Sequence, residues 1–410
     1  MKHTLYIFSA LLLLAACVPQ NNTPNAKAKR AAPAASLIAE DATKVPSIGR
    51  ISDDIPQVKV AFLVPLSGES AEIGKSMMDA ASLALYDSYL TVPSDEIRAQ
   101  IVLVPKDTGA TSTETAKAAS AAIQQGASFI VGPLFSQSVS AVAPVAKEKN
   151  ISLISFSNNK AVAAAGVYTF GFMPEQQVER IAEYAYLNKY QRVAVLAPND
   201  AYGEKVRESL SEIYLRKGGI VSPSELYAPS AANIDAAVAR IAGAFNNTPE
   251  DRRFQAIFVA DSGNQMRNIV KALTKNNIDL KKIKLIGTGL WDDKELTKIP
   301  EMQGAWFPSS SPEPYEKFEN RFENTYGYKP VRLASLAYDA VALTASAAMS
   351  GKPISNAALT DAKGFISPAN GLMRLLPSGK SDRKLTIMEV TPDGFKVIDR
   401  APTNFSPTGQ

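Results

Sequence analysis

The residues of this chain with the means to do chemistry are hydroxyls, amides and scattered carboxylates, and they gather in short polar loops. In the first half these are Pro65-Leu66-Ser67-Gly68, Gly132-Pro133-Leu134-Phe135-Ser136 and Ser155-Phe156-Ser157-Asn158-Asn159. In the second half they are Pro198-Asn199-Asp200-Ala201-Tyr202-Gly203, Asp261-Ser262-Gly263-Asn264 and Gly287-Thr288-Gly289-Leu290-Trp291-Asp292. Such groups, placed beside helix N-termini, suit noncovalent binding of a polar or anionic group. Helix capping accounts for Ser67, Ser136 or Asp200 taken singly, but less readily for so many polar loops together. Covalent chemistry lacks its parts. The only histidine is His3 and the only cysteine is Cys17, which removes Ser-His-Asp and Cys-His nucleophiles, histidine zinc sites and disulfides. Asp292 and Asp293 form the one adjacent carboxylate pair in these loops, and sequence neighbours point apart, which disfavours acid–base catalysis. The expectation is a binding protein with no cofactor or metal and no enzymatic activity.

The loops require elements to position them, and the pattern supplies an alternation. Short apolar runs at Val58–Val64, Ile101–Val104, Ser128–Val131 and Ser152–Phe156 read as strands. Between them Ile73–Tyr89, Thr113–Gln125 and Ser136–Lys149 have helical period, and Thr111 with Glu114 three residues on makes a capping box. The grammar resumes after Pro174 with helix Glu175–Lys189, strand Arg192–Leu196, helix Gly203–Lys217, strand Ala256–Ala260, helix Asn264–Lys275 and strand Lys284–Ile286. Pro314–Tyr326 and Ala334–Met349 are further amphipathic segments. This predicts an α/β protein with two open parallel sheets, helices on both faces and the polar loops at the strands' carboxyl ends, where such sheets bind ligands.

Lys2, the apolar run Leu5–Leu14 and Leu14-Ala15-Ala16-Cys17 resemble the bacterial lipoprotein signal, and the run is shorter than the roughly 20 residues needed to span a bilayer. That resemblance implies a signal peptide over 1–16 and a lipid on the Cys17 sulfur. Val18 rather than aspartate after it implies the outer membrane by the sorting rule of enteric bacteria. Residues 17–56, rich in Ala, Asn, Lys, Ser and Pro, read as a disordered tether, on the order of 35 Å long as a coil. Lys and Arg number 44 against 40 Asp and Glu, a net charge of +4 dispersed along the chain, so nothing suggests nucleic acid. Hydrophobic residues make up 46%, enough for the large core of a two-domain protein.

VKVAFLVPLSG, IVGPLFSQSVSAVAPVAKEKNISLISFS, APNDAYGEKV and LASLAYDAVAL resemble type I periplasmic binding proteins of the leucine/isoleucine/valine-binding kind, over Val58 to about Arg400. Within that superfamily GPLFSQ, MPEQQVERIAEYA and GTGLWDD are most similar to the lipoproteins named penicillin-binding protein activators. The resemblance implies two lobes, crossed by the chain three times, with a ligand cleft between them. Breaks at Pro174, Pro300 and Pro368 place the crossings near Phe172, Met302 and Ala369. Lobe 1 is then 57–172 plus 303–368, lobe 2 is 173–302 plus 369–402, and 403–410 is a tail.

Carried over residue by residue, the resemblance assigns a ligand carboxylate to the loops holding Ser136, Ser138, Ser157 and Asn159, and an aromatic contact to Tyr202. Ser67 and Trp291 are expected at the same edge, with Trp291 at the cleft mouth. The acid that should meet a ligand ammonium aligns with Gly289, Asp292 standing three residues late, and an aromatic near the first helix is replaced by Ile73. The helical-repeat domain that precedes the fold in known activators is replaced by the tether. Two functions follow from the resemblance. One is a tethered lipoprotein that stimulates a peptidoglycan synthase by surface contact; the other captures an amino acid or similar solute for an ABC importer permease.

Overall fold

The computed structural model describes residues 55–90, 92–351 and 353–405. Cys17 and nearly all of the tether lie outside them. Residues from Ile51 onward make one compact unit.

Five strands, β1 (Gln57–Val64), β2 (Gln100–Asp107), β3 (Phe129–Val131), β4 (Leu153–Ser155) and β5 (Val167–Thr169), form an all-parallel sheet ordered β2-β1-β3-β4-β5. Both faces are covered. Val60, Phe62 and Val64 point into a core shared with α1 (Ala71–Leu90), while Ala61 and Leu63 point into one shared with α2 (Ser112–Gln124) and α3 (Ser136–Glu148). Two-sided burial is why these strands read as continuous apolar runs. The expected capping box is present: Thr111 Oγ1 accepts from Glu114 N, and the Glu114 carboxylate accepts from Thr111 N.

The chain then builds α4 (Pro174–Leu187), β6 (Arg192–Pro198), α5 (Ala201–Lys217), β7 (Ile220–Tyr227), α6 (Ala231–Asn246), β8 (Ala256–Val259), α7 (Gly263–Lys275), β9 (Lys284–Gly287) and β10 (Trp306–Ser309). A mixed seven-stranded sheet results, ordered β15-β14-β10-β9-β8-β6-β7, in which β14 (Thr386–Thr391) and β15 (Gly394–Asp399) run antiparallel. Val193, Val195 and Ala197 of β6 face α4 and α5, whereas Ala194 and Leu196 face α6 and α7. The second sheet thus departs from the all-parallel expectation at one edge. β7 and α6 were not read from the sequence; β7 alternates exposed and half-buried residues around Pro223, as suits an edge strand.

Two helices return to the first lobe as expected. Phe318 and Phe322 of α8 (Pro312–Tyr326) join its core, and α9 (Ala334–Met349) lies along α1. Ala337, Ala340 and Ala345 meet Ala80, Ala81 and Ala84 in that core, and such small side chains let helix axes approach closely.

Two boundaries differ from the expectation. β10 pairs with β9 and β14, so residues 303–309 complete the second sheet and the second crossing falls at Ser310–Ser311, not near Met302. The three-stranded antiparallel sheet β11 (Phe365–Ser367), β12 (Gly371–Leu375) and β13 (Ser381–Arg383) sends Met373 and Leu375 into the first core. The third crossing therefore lies between Arg383 and Thr386, not at Ala369. Pro300 opens only a 3₁₀ turn, and a four-residue strand beyond it is too short to show a period.

Candidate ligand cleft at the strand ends

At the carboxyl edge of the first sheet, the Ser67, Ser138 and Ser157 hydroxyls already have partners. The Asp107 carboxylate at the end of β2 accepts from Leu66 N at 2.8 Å and Gly109 N at 3.0 Å, and from Ser67. Burial alone would raise this carboxyl; the hydrogen bonds from Ser67, Gly109 and Leu66 outweigh it and hold it below the usual carboxylate range. Ser136 is the first residue of α3 and its carbonyl accepts from Ser140 Oγ, while the cap position belongs to Phe135. Ser138 is buried, with its Oγ 3.0 Å from Thr115 Oγ1 in the α2–α3 contact. Ser157 is buried too, and its Oγ accepts from Asn159 N at 3.1 Å. Asn159 is exposed and caps the 3₁₀ turn Lys160–Val162. Ile73 packs half-buried on the first core.

The second edge is bonded more densely. The Tyr202 hydroxyl lies 2.8 Å from Thr288 Oγ1, and burial pushes its phenol up to about 12. Asp200 caps α5 through Gly203 N at 2.8 Å. Asp261 accepts from the Tyr227 hydroxyl and from Ser262 N.

Trp291 does not stand at the cleft mouth. It is fully buried in the core under α6 and α7, its Nε1 donating to Asp261 O at 2.9 Å, and its ring lies over Gly287, where any Cβ would come within 2.3 Å of it. A large apolar ring gains more from this glycine-floored pocket than from water.

Gly289, where the ammonium-binding acid was sought, has its N–H bonded to Gln177 Oε1 at 2.9 Å. A Cβ there would stand 3.2 Å from that oxygen and 3.2 Å from Pro308 O, so Gln177 occupies the room an acid would need. Asp292 is engaged as well. Its Oδ2 accepts from Ser309 Oγ at 2.7 Å and from Arg332 Nε at 3.4 Å, while Asp293 turns away to cap the next 3₁₀ turn through Glu295 N. Arg332 comes from the loop between α8 and α9, so this pair joins the lobes. Its guanidinium is stacked at 4.7 Å from the Phe172 ring centre and 4.0 Å from that of Tyr315. Sequence reasoning missed both Arg332 and Gln177. Gln177 lay inside MPEQQVERIAEYA and Arg332 immediately before LASLAYDAVAL, two segments that carried the family resemblance, but neither matched a ligand-contacting position of the pattern.

A concavity of about 760 Å³ lies elsewhere, at the amino end of β9, lined by Tyr190, Lys284, Gln303 and Ala305 among others. Lys284 is committed there: its Nζ donates to Gly304 O and sits 4.2 Å from the Trp306 ring centre, with its pKa lowered by burial. The strand-end loops rather than this hollow match the binding geometry of an open α/β sheet. Among the described residues no group of His, Cys, Asp or Glu could hold a metal ion, and no helix is long and apolar enough to cross a membrane.

Two lobes of helix-covered sheet, joined by three crossings and meeting at their strand ends, define the type I periplasmic binding protein fold. The chain belongs to the periplasmic binding protein family, whose model matches residues 57–393. Among curated proteins it is 28% identical over 237 residues to an uncharacterized protein of Rickettsia prowazekii, covering 56% of this chain and 60% of that one. It is 24% identical over 165 residues to the penicillin-binding protein activator LpoA of Vibrio cholerae, covering 40% of this chain and 26% of LpoA. The chain thus spans less than two thirds of either relative's length. Solved structures share the fold: an ABC transporter substrate-binding protein from Sphaerobacter thermophilus (TM-score 0.69, 17% identity, covering 85% of this chain and 98% of that one) and LivJ of Streptococcus pneumoniae in complex with isoleucine (TM-score 0.61, 21% identity, covering 84% and 100%).

Proposed function

We propose that this protein is a non-enzymatic periplasmic lipoprotein, anchored through Cys17 in the outer membrane, that activates peptidoglycan synthases of the penicillin-binding protein class. The observation that carries the reading is the state of the second strand edge. Gly289 is filled in by Gln177 and Asp292 is bonded to Arg332, so the cleft offers no uncommitted acid where an amino-acid carrier of this family needs one. The similarity to LpoA supports the same reading, and the tether supplies reach toward a partner away from the anchoring membrane. The alternative, a substrate-binding subunit of an importer, draws on the shared fold of the ABC-transporter proteins.

Cross-linking and affinity capture of the intact lipoprotein from membranes separates the two. A peptidoglycan synthase, stimulated on adding the purified protein, supports activation; an importer permease replaces it with the transport reading. Cys17→Ser should leave the protein unlipidated and free of the membrane fraction, and normal membrane fractionation of that variant would remove the anchor.

A further inference from the structure

We infer that the amino edge of the second sheet is a membrane-docking surface, which seats Leu187, Leu215 and Ile220 in an anionic phospholipid surface and turns the strand-end loops away from it. The inference rests on the reading of this protein as membrane-anchored, and not on which protein is its partner.

Three of the four most exposed large apolar side chains among the described residues, Leu215, Leu187 and Ile220 at 79%, 73% and 55%, stand on one corner of the second lobe. There α4 and α5 end and β7 begins. The Tyr186 and Tyr214 rings meet edge to face with centres 6.0 Å apart, the Tyr186 hydroxyl donates to Lys217 O, and Ile220 N donates to Gln191 O at 2.9 Å. Gly219 lies against both rings, where a Cβ would stand 2.6 Å from Tyr214 and 3.1 Å from Tyr186. The two tyrosines thus fill the joint, and their aliphatic neighbours are left outside it.

Charge marks the same edge. The parallel strands β7, β6, β8 and β9 are neighbours, so the residues leading into them lie side by side. Over residues 188–192, 216–220, 247–255 and 276–284 there are nine Lys and Arg against three acids. Asp251 and Asp279 answer Arg252 and Lys282, and Glu183 of α4 answers Lys217. Lys189 and Arg216, beside the apolar corner, form no ion pair with any described residue. Lys189 moreover holds its side chain on left-handed backbone, φ 74°, which glycine takes more readily. Helix dipoles account for Arg216 and Lys217 at the end of α5, but not for Arg192, Arg253 or Lys281 on the loops that enter strands. The opposite edge has the other sign, with Asp200, Asp261, Asp292 and Asp293 in its loops.

Aliphatic side chains exposed on a corner and ringed by cations suit insertion among lipid headgroups, whereas a protein hot spot is a packed pocket with aromatic anchors. Each cation near an anionic bilayer adds an attraction that salt screens.

The probe is a vesicle of phosphatidylglycerol and phosphatidylethanolamine, with phosphatidylcholine vesicles as the neutral control. The full-length lipoprotein is reconstituted with a nitrobenzoxadiazole label at Leu187→Cys or, on the first lobe, at Ile366→Cys, and followed by fluorescence and flotation. On anionic vesicles alone the label at 187 should brighten about twofold and shift to the blue as it leaves water, and high salt should reverse this. The label at 366 should stay as in water. Lys189→Gln combined with Arg216→Gln, and separately Leu215→Gln, should each remove at least about half of the change. These side chains are on the surface, and an unchanged unfolding midpoint checks that the variants fold.

Flotation without a change at 187, an equal change on neutral vesicles, insertion of 366 instead, or variants without effect would overturn the inference and leave the anchor standing. Protein that floats only on anionic vesicles, and only while Lys189 and Arg216 are present, would keep the docking surface and remove the anchor. Neither flotation nor a change would overturn both. A change at 187 that needs an added peptidoglycan synthase and no vesicles would give this surface to a protein partner and overturn the membrane.

Discussion

The two strand edges start from the same scaffold and end differently. On the first, β1 runs into Pro65 and the opening turn of α1 brings Gly74 against the Pro65 carbonyl; on the second, β6 ends at Pro198 and α5 brings Gly203 against the Pro198 carbonyl. Beyond that shared joint the first edge satisfies its hydroxyls within its own lobe, Ser138 on Thr115 and Ser157 on Asn159. The second edge reaches across: Asp292 bonds Arg332, which comes from the first lobe. Equivalent polar loops therefore do different jobs. The hydroxyls of the first stiffen a lobe, while its exposed Lys160 reaches Glu175 of the other lobe at 3.1 Å; the second couples the lobes through the more buried Asp292–Arg332 pair.

The largest effect should fall on the shared joint. A Cβ at Gly74 would sit 1.7 Å from Pro65 O, and one at Gly203 would sit 1.9 Å from Pro198 O. Because the obstacle is backbone, Gly74→Ala and Gly203→Ala should each cost at least about 3 kcal/mol in denaturant unfolding or prevent folding. A mild cost at only one would break the equivalence. Trp291→Phe comes next, losing the bond to Asp261 O and part of a buried ring, about 2 kcal/mol. Both tryptophans are buried, so intrinsic fluorescence should report unfolding and stay unchanged by ligand. A ligand-dependent shift lost in Trp291→Phe would return that residue to the cleft.

Ser138→Ala tests the first edge. It should cost about 1 kcal/mol, the worth of one buried hydrogen bond, and leave ligand affinity unchanged. A loss of affinity without a loss of stability would make Ser138 a ligand contact after all. The smallest effect is on pH dependence at the second edge. The folded pKa of Tyr202, about 12, lies above the unfolded value near 10, so its contribution is full below about pH 10 and fades as pH rises toward 12. Denaturation midpoints across that window should fall less steeply in Tyr202→Phe than in the parent, and equal slopes would show that the phenol is not buried as described.

Local pattern was enough for much of the fold. The strands around Val58–Val64 and Arg192–Leu196 stood out because a sheet covered on both faces needs uninterrupted apolar residues, and Thr111 with Glu114 announced a helix start. The polar loops at the strand ends were legible for the same reason, since they are where apolar runs stop. Neither β10 nor β14 and β15 were visible, because short strands at a mixed edge carry no period of their own.

What the sequence determined by itself is the alternation of strand and helix, the siting of polar loops at strand ends and the lack of histidine or cysteine for chemistry in the described fold. Each depends on residue type or near-neighbour spacing. Which of those loop residues remain open to a ligand was decided only by tertiary structure. Ser138, Trp291 and Gly289 are closed by Thr115, Asp261 and Gln177, and Asp292 is held by Arg332; these contacts join residues 23, 30, 112 and 40 positions apart. Hydrogen bonds at that separation exist only once packing has brought their elements together, so no local spacing could have announced them.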